Sequence, residues 1–353
     1  MYFKHRLLEI IRGEKKAPVI MGALAAMSGV YRSILAVRNF AYDRGWLPSV
    51  QLPAVVISVG NIIVGGTGKT PLVHLLASEL QHKFPLAILT RGFRSQIEKS
   101  GAIQKISFET SPDKCGDEPY FLLQKTKGCI WVGADRVASG RLAIQEGAKC
   151  LLLDDGMQHR RLKRDFEIVV VDGSDPFFQG RFLPWGLLRD SPKRLRDADL
   201  IVATHVKDLK QLQLQLNRFT SAPLVTMDHE VVHGHALGSR GPRDPRKVGV
   251  FCGIGQPKRF LETVRDLKSE IVDTLILEDH GCLQDGQLEK FAEECRKKGA
   301  EMLVCTEKDF VKLSSDLSVC LSIEPIEIQL KIATGKEHWE KLMANILERI
   351  CKY

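Results

Sequence analysis

The stretch with the most evident chemistry is SVGNIIVGGTGKTP, Ser58 to Pro71. A glycine run ending in Gly68-Lys69-Thr70 is what a phosphate-binding loop requires. Backbone N–H groups of Gly65, Gly66, Thr67 and Gly68 can converge on phosphate oxygens, because glycine permits the backbone angles and the close approach. The N-terminus of a following helix adds positive potential. Lys69 would reach the β- and γ-phosphates of a nucleotide such as ATP, and the Thr70 hydroxyl would ligate Mg²⁺. The strict pattern places a glycine five residues before Gly68, where this chain has Ile63 followed by Val64. Only the outermost glycine is lost, and Val64-Gly65-Gly66 could reshape the turn there, so the expected nucleotide-binding loop comprises Ile63, Val64, Gly65, Gly66, Thr67, Gly68, Lys69 and Thr70. The competing reading is an ordinary tight turn.

Such a loop needs an acidic partner for its metal. CLLLDDGMQHRRL, Cys150 to Leu162, supplies Asp154 and Asp155 after an apolar run. The C-terminal end of a buried strand is where open α/β sheets place ligand groups. An isolated Asp-Asp-Gly would read as a surface turn. Gln158 and His159 follow and could line the same cleft. In CGDEPYFL, Cys115 to Leu122, Asp117 and Glu118 place two acids side by side. A carboxylate there could orient a hydroxyl and take its proton. Taken alone, Asp117 reads instead as a helix N-cap with Pro119 in the first turn, and His280 as a satisfied core or loop histidine. Arg91 and Arg136 follow the strand-like runs LAILT and CIWVGAD. Either could grip phosphate with two N–H groups or lie on the surface.

These residues need a scaffold. AVVISVG before the loop is β-branched and apolar, and TPLVHLLASEL after it has helical spacing. The context is strand, loop, helix. Buried strands are expected at Val55–Val59, which is the strand before the loop, and at Leu86–Leu89, Ile130–Gly133, Leu151–Leu153, Ile168–Val171 and Leu200–Ala203. Helical patterns between several of them predict an α/β fold: a mainly parallel, P-loop-type sheet with helices on both faces. After the Gly/Pro/Arg-rich break SRGPRDPRK the pattern restarts, which predicts a smaller C-terminal α/β domain. The expected division is an N-terminal helical segment over 1–48, a kinase-type domain over 49–244 and the C-terminal domain over 245–353. The site would then lie in a cleft between domains and need closure.

The 353 residues carry a net charge of +8, with 44% hydrophobic and 27% charged residues. The basic excess suits nucleic acid, phosphorylated ligands or an anionic membrane surface. Basic residues are dispersed without an interleaved aromatic platform, which argues against nucleic acid. None of the nine cysteines lies at C-x-x-C spacing, so no zinc or iron–sulfur site is expected, and reduced thiols suit a cytosolic setting. Near the N-terminus, APVIMGALAAMSGVY, Ala17 to Tyr31, is uncharged and flanked by arginines and lysines. At about 15 residues it is shorter than the roughly 20 that span a bilayer. Three readings stay open: a helix inserted shallowly among anionic head groups, a short span, or a buried helix with snorkelling basic ends.

With these motifs in hand, the chain resembles the tetraacyldisaccharide 4′-kinase family. The matching stretches run through most of its length: SVGNIIVGGTGKTP, LTRGF, CGDEPYFL, LLLDDGMQHRRL, RFLPWGLLRD, GIGQPKRF, LEDH and CTEKDFVKL, in this order. The family shares the non-standard loop spacing. The resemblance implies transfer of the ATP γ-phosphoryl group to a sugar hydroxyl of a lipid A disaccharide 1-phosphate, at the cytoplasmic face of the bacterial inner membrane, with no obligate protein partner. It carries Lys69 and Thr70 over as phosphate and Mg²⁺ contacts, Asp154 and Asp155 as metal-side acids, and Asp117 as the acid nearest the attacking hydroxyl with His280 as its partner. Arg91, Glu118, Arg136, Gln158 and Asp190 are substrate-side candidates. Asp190 replaces the family's glutamate with a side chain one methylene shorter, and the chain has Asp279-His280-Gly281-Cys282 where the family often has a second histidine. Two rivals compete with the kinase. A P-loop switch or assembly ATPase/GTPase would turn over nucleotide without lipid, and ATHVKD is a poor match to a guanine-reading motif. A nucleic-acid-binding ATPase would bind oligonucleotides in a salt-dependent way.

Overall fold

The computed structural model describes residues 17–126, 128–233, 245–278, 281, 283, 286–313 and 319–353. Its strands are β1 (Val55–Gly60), β2 (Leu86–Thr90), β3 (Gln104–Ile106), β4 (Cys129–Val132), β5 (Cys150–Asp154), β6 (Phe166–Asp172), β7 (Leu200–Thr204), β8 (Leu224–His233), β9 (Lys247–Cys252), β10 (Glu270–Ile276), β11 (Met302–Thr306) and β12 (Ser322–Thr334). Among the described residues these form one 12-stranded sheet in the order β10-β9-β11-β12-β8-β7-β6-β1-β5-β2-β4-β3. Pairing is parallel except at β3–β4 and β8–β12. The six expected strands are present with ends within two residues of expectation. Their continuous apolar runs follow from burial on both faces, as in β1 and β5, where every residue is buried.

The principal helices are α1 (Pro18–Asp43), α2 (Lys69–Leu80), α3 (Asp117–Lys125), α4 (Arg136–Gln145), α5 (Leu209–Leu216), α6 (Pro257–Asp266), α7 (Gln287–Lys297) and α8 (Lys336–Cys351). Leu72, Val73 and Leu76 of α2 and Leu122 of α3 pack on one face of the central strands together with Trp339, Leu342 and Ile346 of α8. Val137 and Ala143 of α4 cover part of the other face. Beyond residue 245, α6 and α7 cover opposite faces of β9 and β11. The sheet runs on through the antiparallel β8–β12 pair, and α8 returns to the first half to pack there.

Helix α1 extends well past the uncharged run expected near the N-terminus. It has 26 residues and is long and apolar enough to cross a membrane by length and composition. Only the stripe Leu24, Ser28, Leu35 and Asn39 is buried. Every described cysteine is free.

Candidate active site

The glycine loop leaves β1 and enters α2, so the backbone carries it to the C-terminal edge of the sheet. Gly65 (φ +120°) and Gly68 (φ +89°) lie in the left-handed region, where a side chain would be strained. Ile63 explains the missing first glycine. It is 6% exposed and bridges Leu188, while the Val64 N–H donates to the Leu187 carbonyl at 2.8 Å. The start of the loop, Ile63 and Val64, is therefore stitched to the 181–190 segment, which leaves Gly65 as the first glycine of the turn. Asn61 Nδ2 donates to Thr67 Oγ1 (2.8 Å), and Gln158 Nε2 donates to the Asn61 carbonyl (2.9 Å). Gln256, from the second half of the chain, donates to the Gly66 carbonyl at 3.2 Å.

Asp154 ends β5, the strand beside β1, and Asp155 follows it in a left-handed conformation (φ +55°). Aspartate tolerates that region better than most residues. Lys69 Nζ lies 3.6 Å from Asp155 Oδ1. Arg189 grips both Asp155 oxygens in a fork and also donates to Asn61 Oδ1. Desolvation pushes the Asp155 carboxyl upward, but Lys69 and Arg189 outweigh it and hold the acid well below the usual carboxylate range. Its neighbour behaves oppositely. Asp154 is 3% exposed, and burial together with the negative charges of Glu118 and Asp155 pushes its carboxyl up to about 7. Thr90 Oγ1 donates to it at 3.4 Å.

Gly116 occupies the N-cap of α3, so Asp117 is the first helical residue rather than the cap. The helix dipole favours negative charge at that end. Glu118 lies 3.5 Å from Thr70 Oγ1, which brings the Asp-Glu pair beside the glycine loop. Two lysines from beyond residue 245 meet these acids. Lys308 Nζ is 2.8 Å from Glu118 Oε1, and Lys312 Nζ is 3.1 Å from Asp117 Oδ2.

The remaining sequence candidates separate. Gln158 braces the loop from behind. Arg136 is 4% exposed at the start of α4, donates to the Gly133 carbonyl at 2.9 Å, and is brought down to about 10 by burial despite Asp154 and Asp155 nearby. Its charge backs the acids from within the protein. Arg91 is exposed and paired with Glu98. Asp190 is not in the cleft. It is fully buried, and Oδ1 accepts from Asn39 Nδ2 (2.9 Å) and the Ser191 N–H (2.8 Å), which ties α1 to the 181–190 segment. His159 is brought down to about 4 by burial and by Arg136, so it is a neutral ring. His280 lies outside the described residues.

Arg189, Asn61, Lys308 and Lys312 were not among the sequence candidates. Arg189 stands in RFLPWGLLRD beside the acid that drew attention. Both lysines stand in CTEKDFVKL. Their signal was a cation placed at a fixed offset inside a motif already singled out.

The profile of the tetraacyldisaccharide-1-P 4′-kinase family, LpxK, matches residues 20–348. The tetraacyldisaccharide 4′-kinase of Chlamydia pneumoniae is 35% identical over 318 residues, covering 87% of this chain and 85% of the relative. That of Syntrophus aciditrophicus is 36% identical over 351 residues, covering 92% of each. The crystal structure of an "apo" form of LpxK from Aquifex aeolicus in complex with ATP superposes with a TM-score of 0.71 at 28% identity, over 93% of this chain and 99% of that one. A matching profile over nearly the whole length, and relatives above 30% identity covered over most of their length, establish that this chain belongs to the tetraacyldisaccharide-1-P 4′-kinase family.

Proposed function

We infer that the chain is an ATP-dependent tetraacyldisaccharide 4′-kinase, transferring the γ-phosphoryl group of ATP to the 4′-hydroxyl of a tetraacyldisaccharide 1-phosphate, the lipid A precursor. The observation that carries the reading at this site is the 3.5 Å approach of Glu118 to Thr70, which sets a pair of acids against a glycine loop and its lysine. Loop N–H groups and Lys69 hold the phosphates. Asp117 orients the sugar hydroxyl and takes its proton as the new O–P bond forms and ADP leaves. His280 is the proposed partner of Asp117, carried by the family resemblance.

Thr70, Asp154 and Asp155 fit a divalent cation. Asp154 is buried and crowded by two acids, a charge arrangement that a cation relieves. Mg²⁺ is bound through one or two carboxylates plus substrate phosphates and waters rather than by an all-protein cage. Bound there, Mg²⁺ would neutralise charge on the β- and γ-phosphate oxygens. Arg189 and Lys69 keep Asp155 ionised and aimed.

Helix α1 supports association with an anionic membrane surface on the cytoplasmic face, the helix lying along that surface. Ser28, Tyr31 and Asn39 bond to the 181–190 segment along its length. A helix so tied on one stripe keeps its other side for lipid. The division into 1–48, 49–244 and 245–353 remains the proposed scheme, with the last unit closing over the nucleotide.

The test is phosphate transfer from γ-labelled ATP to detergent-dispersed disaccharide 1-phosphate with Mg²⁺. Labelled lipid is expected from the intact chain, and neither Lys69→Ala nor Asp117→Ala should form it at a comparable rate. Release of free phosphate alone, independent of lipid, would overturn the reading in favour of a switch ATPase.

A further inference from the structure

The turn after β11 touches the start and end of α3 with three charged side chains. Glu307 pairs with Lys125, which also meets Glu327 at 2.6 Å. Lys308 meets Glu118 at 2.8 Å, and Lys312 meets Asp117 at 3.1 Å. The third contact is built differently from a surface ion pair. Lys312 is only 14% exposed, and its ammonium also lies 3.5 Å from Asp309 Oδ1. Asp309 is 3% exposed, and its other oxygen accepts from the Gly253 N–H (3.0 Å) and the Thr306 hydroxyl (2.6 Å). A carboxylate held by a backbone amide and a hydroxyl is a fixed point. It anchors Lys312, and Lys312 in turn reaches across to Asp117.

We propose that Lys312 is a positioning residue for the phosphoryl transfer, holding Asp117 Oδ2 through an ammonium anchored on buried Asp309, so that the carboxylate meeting the sugar hydroxyl is set by the C-terminal half of the chain. This rests on the reading of Asp117 as the proton acceptor. A short aspartate at the first position of a helix can take several rotamers. A charge-assisted contact to an anchored cation removes that freedom and fixes where the proton-accepting group stands. Lys308 stands beside it on Glu118 and closes the same seam. The Gly253 and Thr306 donors link the contact to β9 and β11, so docking of this half on α3 and placement of the acid are one event.

The rival role for Lys312 is a hook for ATP phosphate, and steady-state kinetics of the full-length enzyme separate the two. Lys312→Met is expected to lower kcat by about 10- to 100-fold, the worth of one charge-assisted hydrogen bond. KM for ATP should stay within about twofold, because the lost contact acts on the acceptor side. Lys312→Arg should restore most of the rate. Lys312→Gln, which keeps the stem and a donor, should fall between and guards against a folding defect. In an Asp117→Asn background, adding Lys312→Met should change kcat less than about twofold, since the two residues act through one contact. A rise in KM for ATP at unchanged kcat would make Lys312 a phosphate contact and overturn the proposal. So would an undiminished loss in the double variant. Wild-type turnover by Asp117→Asn alone would instead remove Asp117 as proton acceptor, a separately visible result.

Discussion

At the residue scale, adjacent acids in one motif have opposite electrostatics. Asp155 is held ionised by Lys69 and Arg189, whereas Asp154 is buried among like charges and keeps its proton up to about 7. The consequence for stability follows from proton counting. The folded state holds a proton on Asp154 between its ordinary value of 3.8 and about 7 that the unfolded chain has lost. Stability therefore falls as pH rises through that window. Asp154→Asn removes the effect. In Mg²⁺-free buffer the variant should melt higher than the parent at pH 8 by about 2 °C or more, with the gap narrowing at pH 5. Equal gaps at both pH values in a thermal melt would refute it. Arg189→Met should loosen Asp155 and lower kcat by about tenfold or more, as loss of a bidentate charged contact does. Turnover equal to the parent's would show that Lys69 alone suffices. The glycine loop and the Asp-Asp pair were legible as candidates because backbone angles restrict the one and the end of a buried strand marks the other. The Arg189 fork was not, because its partner lies 34 positions away in the chain.

At the element scale, the central strands were readable because burial on both faces leaves near-continuous apolar runs. The long strands β8 and β12 were not. They pair antiparallel, and in β12 only Ile326 and Leu330 are buried, four residues apart among partly covered and open positions, so no period-two pattern marks the strand. β3 is too short, at three residues, to leave a pattern. Helix α8 did carry a signal in Trp339, Leu342, Met343, Ile346 and Ile350 at helical spacing, and these are its buried residues. Ile63 shows why motif spacing alone misleads: the strict glycine is replaced by a residue that packs in the apolar cluster of Leu188 and Phe182. That cluster and Asp190 connect α1 to the site loop. Asn39→Ala leaves a fully buried carboxylate short of a donor, with the Ser191 N–H remaining. A loss of about 1–3 kcal/mol is expected from urea unfolding. Unchanged stability would mean that Asp190 finds another donor in the variant.

At the scale of the whole molecule, helix α1 and the glycine-loop site are linked through the 181–190 segment and through Arg38, which donates to the Gln158 carbonyl. Tyr31 Oη donates to the Arg189 carbonyl at 3.0 Å, and the Arg189 side chain grips Asp155. An enzyme whose acceptor carries acyl chains gains from holding this segment at the lipid surface, where the hydroxyl is presented. The two stripes of α1 fit that arrangement. Leu24, Ser28, Leu35 and Asn39 face the protein, while Val30 (62%), Ile34 (62%) and Val37 (70%) are largely exposed on the other side at helical spacing. Arg32, Arg38 and Arg44 stack on Phe182, Tyr42 and Phe40 and supply cations along the same helix. Burying one exposed Val or Ile side chain in lipid contributes about 1.5–3 kcal/mol. Replacing two of them with acids also adds repulsion from an anionic surface. Val30→Asp combined with Ile34→Asp should therefore lower partitioning onto vesicles of zwitterionic and anionic phospholipid by about 100-fold or more, while the unfolding midpoint stays near the parent's because both positions are already exposed. Sedimentation with vesicles at low and high salt measures this. Loss at both salt concentrations is expected for an inserted apolar stripe. Parent-like binding by the double variant at low salt, abolished at high salt, would instead assign the association to the arginines alone and leave the apolar stripe without a lipid role.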